Sequence, residues 1–158
     1  MSYKRRSKPK LTATFTDSSG SAIDPTAVVI EIQNADGTYT GYKYGLSSQG
    51  SWDASTNNPS LADGTGTAGH YYTVSTGGTV DFGNGPITFT TADIVYYNGQ
   101  VWQCLHNLST TAITKAAVGS YYVYHYLDDG GDYYARAEGV GTYQTANETT
   151  IVVDHPLL

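Results

Sequence analysis

The sequence predicts an all-β fold, and three observations carry the prediction. First, 15 tyrosines and 18 glycines in 158 residues favour short strands joined by tight corners, because Tyr suits a half-buried pleated surface and Gly supplies positive-φ turns. Second, charged residues make up only 14% of the chain, against roughly 25% in ordinary globular domains, with Gly, Thr and Ser in their place. Third, apolar and polar residues repeatedly alternate with period two between turn signals, and few stretches suit a long helix.

From Lys10 to Asp17, Leu11, Ala13 and Phe15 point one way and Thr12, Thr14 and Thr16 the other, a half-buried strand. Asp17-Ser18-Ser19-Gly20 is a turn, and Ile23-Asp24-Pro25-Thr26 a second corner. Ala27 to Gln33 is the second strand, with Val28, Ile30 and Ile32 inward and Glu31 and Gln33 outward. Asp36-Gly37 signals a hairpin. Thr38 to Tyr44 returns with Thr40, Tyr42 and Tyr44 on one face, and 45–50 reads as loop.

Residues 51–107 have a different texture. Trp52 leads into a long polar loop, Thr56 to Gly69. Tyr71 to Ser75, Thr79 to Phe82 and Pro86 to Phe89 read as short strands, as do Ile94 to Tyr97 and Gln100 to Leu105. Asn98-Gly99 between the last two favours a type I′ turn. This stretch is expected to be a compact β-meander.

Residues 108–117 read as a linker with room for one helical turn. Gly119 to Tyr126 alternates, with Tyr122, Tyr124 and Tyr126 opposite Tyr121, Val123 and His125. Asp128-Asp129-Gly130-Gly131 is a turn. In Asp132 to Glu138, Tyr133, Ala135 and Ala137 lie opposite Tyr134, Arg136 and Glu138. Gly139-Val140-Gly141 turns again, Thr149 to Val153 is the last strand, and His155 to Leu158 a tail. Neither outer piece can close a core alone, since three strands leave an apolar face bare. Together, 10–50 and 118–158 supply the roughly seven strands of an immunoglobulin-like β-sandwich, interrupted by the module 51–107. Insertion at a surface loop is tolerated when its ends lie close together.

Charge divides the chain again. Lys4, Arg5, Arg6, Lys8 and Lys10 are five of the eight basic residues, while the remaining body balances to −11. Residues 1–9 read as a basic arm that orders against a partner, on an acidic body. Such a body does not suit nucleic acid, which needs a cationic face. A single cysteine, Cys104, excludes an intrachain disulfide framework and a Cys-based zinc cluster. The basic start runs into Leu11-Thr12-Ala13-Thr14 rather than an apolar segment, and no run approaches the ~20 residues of a membrane span. The expectation is a soluble protein made in a cytoplasm and not exported by an ordinary leader.

No motif names a reaction. Gly64-Thr65-Gly66-Thr67-Ala68-Gly69 matches G-x-G-x-x-G, but a nucleotide site needs a strand before it and a helix after it. Here loop precedes and strand follows, so no helix N-terminus is on offer for phosphate. Asp128, Asp129 and Asp132 lack the alternating spacing of a calcium loop, and His70, His106, His125 and His155 show no paired spacing for a metal. No Ser, His and Asp combination sits in a nucleophile-elbow context. The expectation is no enzyme, no cofactor and no metal. The aromatics of the middle stretch are the stronger signal. By alternation Tyr96 and Tyr97 face opposite ways, so some rings are expected at the surface. Trp52, Tyr71, Tyr96 and Trp102 are the candidate ligand or interface residues.

Two resemblances add to this reading. Leu11-Thr12-Ala13-Thr14-Phe15-Thr16-Asp17, Ile23-Asp24-Pro25-Thr26 and Asn34-Ala35-Asp36-Gly37-Thr38 resemble the small immunoglobulin-like proteins encoded among bacteriophage head and tail genes. So do Gly131-Asp132-Tyr133-Tyr134-Ala135-Arg136 and Gly141-Thr142-Tyr143-Gln144-Thr145-Ala146-Asn147-Glu148. That family usually lacks a long middle insertion. The insertion is similar to a short β-module of phage tail-fibre and baseplate proteins. The similarity runs through Trp52-Asp53-Ala54-Ser55-Thr56-Asn57-Asn58-Pro59, Leu61 to Gly69, and Ile94-Val95-Tyr96-Tyr97-Asn98-Gly99-Gln100-Val101-Trp102. The resemblances imply a virion structural protein, assembled in the host bacterial cytoplasm. It would be a capsid decoration or neck component binding neighbouring subunits through the arm. The alternative they imply is a fibre adhesin whose module binds host glycan.

Overall fold

The computed structural model describes residues 8–127, 132–141 and 150–154, the last of these as backbone. The chain is all-β, with no helix among the described residues. The strands are β1 (Lys10–Thr14), β2 (Ala27–Gln33), β3 (Tyr39–Tyr44), β4 (Ser47–Asp53), β5 (His70–Thr76), β6 (Gly78–Asp81) and β7 (Pro86–Phe89). They continue with β8 (Ile94–Tyr97), β9 (Trp102–Leu105), β10 (Thr114–Ala117), β11 (Ser120–Tyr124), β12 (Tyr134–Val140) and β13 (Thr150–Asp154).

Seven of them form the expected sandwich. One sheet has the order β10-β11-β1-β13 and the other β12-β2-β3. The four-and-three division is that of a constant-type immunoglobulin domain, but the neighbours differ: here β1 is central, paired antiparallel with β11 and β13. The alternation read in the sequence decides the core. Leu11, Ala13 and Phe15 from β1 and its extension pack with Val28, Ile30, Ile32, Tyr42, Tyr121 and Val123, all buried.

The inserted module contributes the other two sheets, β4-β5-β8-β9 and β6-β7. They close on a second core of Trp52, Val74, Val80, Phe82, Phe89, Val95, Tyr97, Trp102 and Cys104. The module is not a pure meander, because β4 runs parallel to β5. Residues 45–50, expected as loop, mostly belong to β4. Its five exposed positions, Ser47 to Ser51, carry no apolar alternation because the strand lies at a sheet edge. The Asn98-Gly99 turn also departs from expectation. Tyr97 pairs with Trp102, leaving a four-residue loop, and only Gly99 has positive φ (108°). A type I′ turn needs both central residues there. Instead Asn98 Oδ1 accepts the amides of Gln100 and Val101, each at 2.9 Å.

A third buried cluster joins the two units. Ala27, Val29 and Val140 on the outer face of the three-stranded sheet pack against Ile94, Tyr96 and Leu105 of the module, with Tyr71 and Leu108 at the margin. Both β2 and β8 are therefore buried on two sides: odd and even positions each find a core. The result is four sheets stacked in the order β10-β11-β1-β13, β12-β2-β3, β4-β5-β8-β9, β6-β7, with a buried cluster at each of the three seams. Full burial of one Val, Ile or Leu is worth roughly 1.5–3 kcal/mol, so the four of them here, Val29, Ile94, Leu105 and Val140, make the middle seam a substantial contact.

Glu31, expected to face water, lies in that seam with only 10% of its side chain exposed. Its Oε2 accepts from the His106 amide and lies 2.9 Å from His106 Nδ1. Arg136 stands 3.7 Å from its other oxygen and donates to Glu138 at 3.0 Å. Burial pushes the Glu31 carboxyl up, but the His106 bonds and the Arg136 charge outweigh it and hold it below its ordinary range. The bond to Glu31 raises His106 in turn.

The linker is also more structured than expected. Residues 107–113 run along the free edge of β3: Gly41 N donates to Asn107 O, Ser109 N to Gly41 O, and Ile113 N to Lys43 O. Residues 114–117 then form β10, with no helical turn. β12 continues through Val140, where a turn at Gly139-Val140-Gly141 was expected, because its ladder with β2 extends to the Val140–Ala27 pair. The expected turn at 128–131 and tail at 155–158 lie outside the described residues, as does the 142–148 part of the family resemblance.

Candidate subunit-binding face

The four aromatic candidates are brought together, but mostly inside. Trp52 is 0% exposed, Tyr96 0% and Trp102 4%. Trp52 stacks edge-on against Phe89 at 5.0 Å and donates its indole N–H to Asn57 Oδ1 at 3.1 Å. Trp102 packs on Tyr97 at 5.1 Å and donates to the Thr65 carbonyl at 3.0 Å. Tyr96 fills the middle seam, its hydroxyl 2.7 Å from Gln103 Oε1 and 3.1 Å from Glu138 Oε2. Tyr71 is half-buried at the seam, with Lys43 Nζ 5.1 Å from its ring centre. Burial overturns the expectation of an exposed ring platform for Trp52, Tyr96 and Trp102. Alternation does place Tyr96 and Tyr97 on opposite faces, but the sandwich covers the second face.

The glycine string folds as a strap over the β8–β9 hairpin. Gly64 N donates to Gln100 O and Gly69 N to Tyr97 O, each at 2.9 Å. Gly66 lies flat on Tyr97, where an added Cβ would sit 2.8 Å from the ring. Thr65 N is engaged with Ala62 O. Three amides of the string, those of Gly64, Thr65 and Gly69, are thus already engaged. Among the described residues no three His, Cys, Asp or Glu side chains gather to hold a metal. The Cys104 thiol is pushed up by burial, away from thiolate chemistry.

The exposed rings are elsewhere. β11 turns Tyr121 and Val123 inward, leaving Tyr122 and Tyr124 on the outer face of the first sheet, followed by Tyr126. Tyr124 is 46% and Tyr126 54% exposed. β1 pairs Lys10 with Tyr124 and Thr12 with Tyr122, which carries the end of the basic arm across these rings. Lys10 Nζ lies 4.4 Å from the Tyr122 ring centre and Lys8 Nζ 4.5 Å from that of Tyr126. Tyr122 and Tyr124 meet edge to face at 5.6 Å. Of the arm residues named from sequence, Lys8 and Lys10 therefore reach this face; Lys4, Arg5 and Arg6 lie outside the described residues. Exposed cation–π contacts are worth about 0.5–1 kcal/mol each, enough to aim the cations without neutralising them. The face offers rigid aromatic area with positive charge above it. Sequence reasoning placed the three tyrosines on one face but did not single them out. The signal was Tyr at every second position beside a basic arm.

A half-open cavity of about 310 Å³ lies at one end of the sandwich, lined by Asn34, Thr38, Thr40, Tyr42, His125 and Tyr133 among others. His125 Nε2 lies 2.8 Å from Asn34 Oδ1, and Nδ1 lies 2.7 Å from the Tyr42 hydroxyl. Asn34 Nδ2 donates to Thr38 and Thr40. Burial pushes the Tyr42 hydroxyl up to about 12. These polar groups bond to one another and brace the β2–β3 hairpin against the end of β11. Family models, curated proteins and solved structures contain no match to this chain.

Proposed function

We propose that this chain is a non-catalytic structural protein of a bacteriophage virion, a capsid decoration or head–tail neck component that binds and stabilises neighbouring subunits. The observation that carries the reading is the Lys8–Lys10–Tyr122–Tyr124–Tyr126 face, which continues the basic arm onto the sheet farthest from the inserted module. Tyrosine at an interface supplies contact area at low entropy cost, and fixed cations steer an acidic partner. On this reading the arm lies over an acidic surface of a neighbouring subunit, the sandwich seats against it, and the module projects outward. The site does not suit catalysis, since its aromatic and cationic groups offer no acid/base pair. Deleting residues 1–9 should lower the copy number in purified particles, read by quantitative mass spectrometry of heads and tails. Unchanged occupancy without the arm would sink the attachment role.

A further inference from the structure

Cations are unevenly placed along the four-sheet stack, although ten of the 14 acidic residues lie outside the module and Asp154 stands opposite Lys10 in the β1–β13 ladder. The first ten positions hold five of the eight basic residues, whereas no Lys or Arg occurs between Lys43 and Lys115. The inserted module therefore carries Asp53, Asp63, Asp81 and Asp93 with no fixed cation of its own. Asp93 is buried and accepts the amides of Thr90 and Asn107, so it belongs to the fold. The other three reach solvent in whole or part. Asp81 ends β6 in the last sheet of the stack, with Val80 turned inward beside it. Asp63 is tied to the same turn through Asn84, at 2.7 Å. Lys8, Lys10 and the three tyrosines occupy the outer face of the first sheet, at the opposite end of the stack.

We propose that a second copy of this chain is an occupant of the Lys/Tyr face, docking there through its acidic β6–β7 end around Asp63 and Asp81. This rests on the reading of that face as an attachment surface, and it names the partner. The two surfaces are different and lie at opposite ends, so the contact is heterologous. Each copy leaves one pole free, and copies add head to tail into a ring or an open row. The contact is electrostatically assisted and salt-sensitive, because it pairs exposed charges.

Sedimentation velocity of the purified full chain tests this. The mass should rise with concentration at low salt, with association weakening about tenfold or more at high salt. Lys8→Glu/Lys10→Glu and Asp63→Lys/Asp81→Lys should each be monomeric. Asp63 also accepts the Trp102 amide, so Asp81→Lys alone, whose carboxylate caps only the amides of Gly83 and Gly85, is the control that keeps the module folded. An equimolar mixture of Lys8→Glu/Lys10→Glu with Asp81→Asn should stop at dimers, because each variant retains one working pole and the two altered poles are not complementary. A wild-type chain that stays monomeric at low salt would overturn the proposal, as would association untouched by both sets of variants. Either result leaves the particle-occupancy test of the structural role standing on its own.

Discussion

The sandwich and the inserted module solve the same problem with different materials. The sandwich core is mainly aliphatic, with Leu11, Val28, Ile30, Ile32, Ile113 and Val123 around Phe15, Tyr42 and Tyr121. Strands of up to seven residues supply its ladders. The module core is mainly rings, with Trp52, Phe82, Phe89, Tyr97 and Trp102, and four of its six strands have only four residues. Short ladders fix little loop. Each indole N–H instead bonds to a loop acceptor, Asn57 or Thr65, so the core itself holds the 54–69 segment. In the sandwich the ladders position the core; in the module the core positions the loops.

The sharpest test of that contrast is Trp52→Ala. It removes the largest fully buried side chain and the anchor of Asn57, and it should cost about 3–5 kcal/mol in urea unfolding. Both regions should unfold in one transition because of the middle seam; two separated transitions in calorimetry would show that the seam does not couple them. Gly41→Val comes next. A Cβ there would lie 2.7 Å from His106 O and from Leu105 Cγ, so overpacking should cost about 1–3 kcal/mol. A neutral result would mean that the end of β9 is not held tightly against β3.

Glu31→Gln removes the mostly buried charge at the seam and should cost about 1.5–3 kcal/mol, the usual worth of a hydrogen bond to a charged group. Its pH signature is more specific. Because the folded state raises His106, that stabilisation is full below the ordinary histidine value and fades as pH rises through the raised folded value. Glu31 is lowered on folding, so its contribution is present above the ordinary carboxyl value and is lost as pH falls through the depressed one. In Glu31→Gln the His106 titration, followed by NMR, should move back down toward 6.5. An unmoved titration would assign the shift to other neighbours. The smallest effect is expected for Tyr124→Ser, within about 0.5 kcal/mol, since the ring is 46% exposed and lies outside the buried clusters.

The legible part of the fold was wherever one face meets a core and the other meets water. β1 and β11 fit that pattern, with Leu11, Ala13, Tyr121 and Val123 inward. The middle seam was hidden because β2 and β8 are buried on both sides, so alternation alone assigned Glu31 and some of the rings to solvent. The uninterrupted runs Val28-Val29-Ile30 and Ile94-Val95-Tyr96-Tyr97 are the trace it leaves. β4 was invisible for the opposite reason: an edge strand of Ser and Gln has backbone pairing and almost no apolar pattern. The Lys/Tyr face was half legible, its ring spacing plain but its meeting with Lys8 and Lys10 set by the pairing of β1 with β11.

That pairing also sets an order of events in synthesis. β1 is made first yet lies between two strands, β11 and β13, that emerge more than a hundred residues later. By then residues 47–105 hold every strand of the module and can close on the outer side of the β2–β3 hairpin. The inner side, with Val28, Ile30 and Ile32, has only β1 and its extension to cover it until β11 arrives. Such long-range closure is slow and leaves a sticky sheet face waiting. The insertion is thus available to cover one side of β2 before the strands that complete the other side have been made.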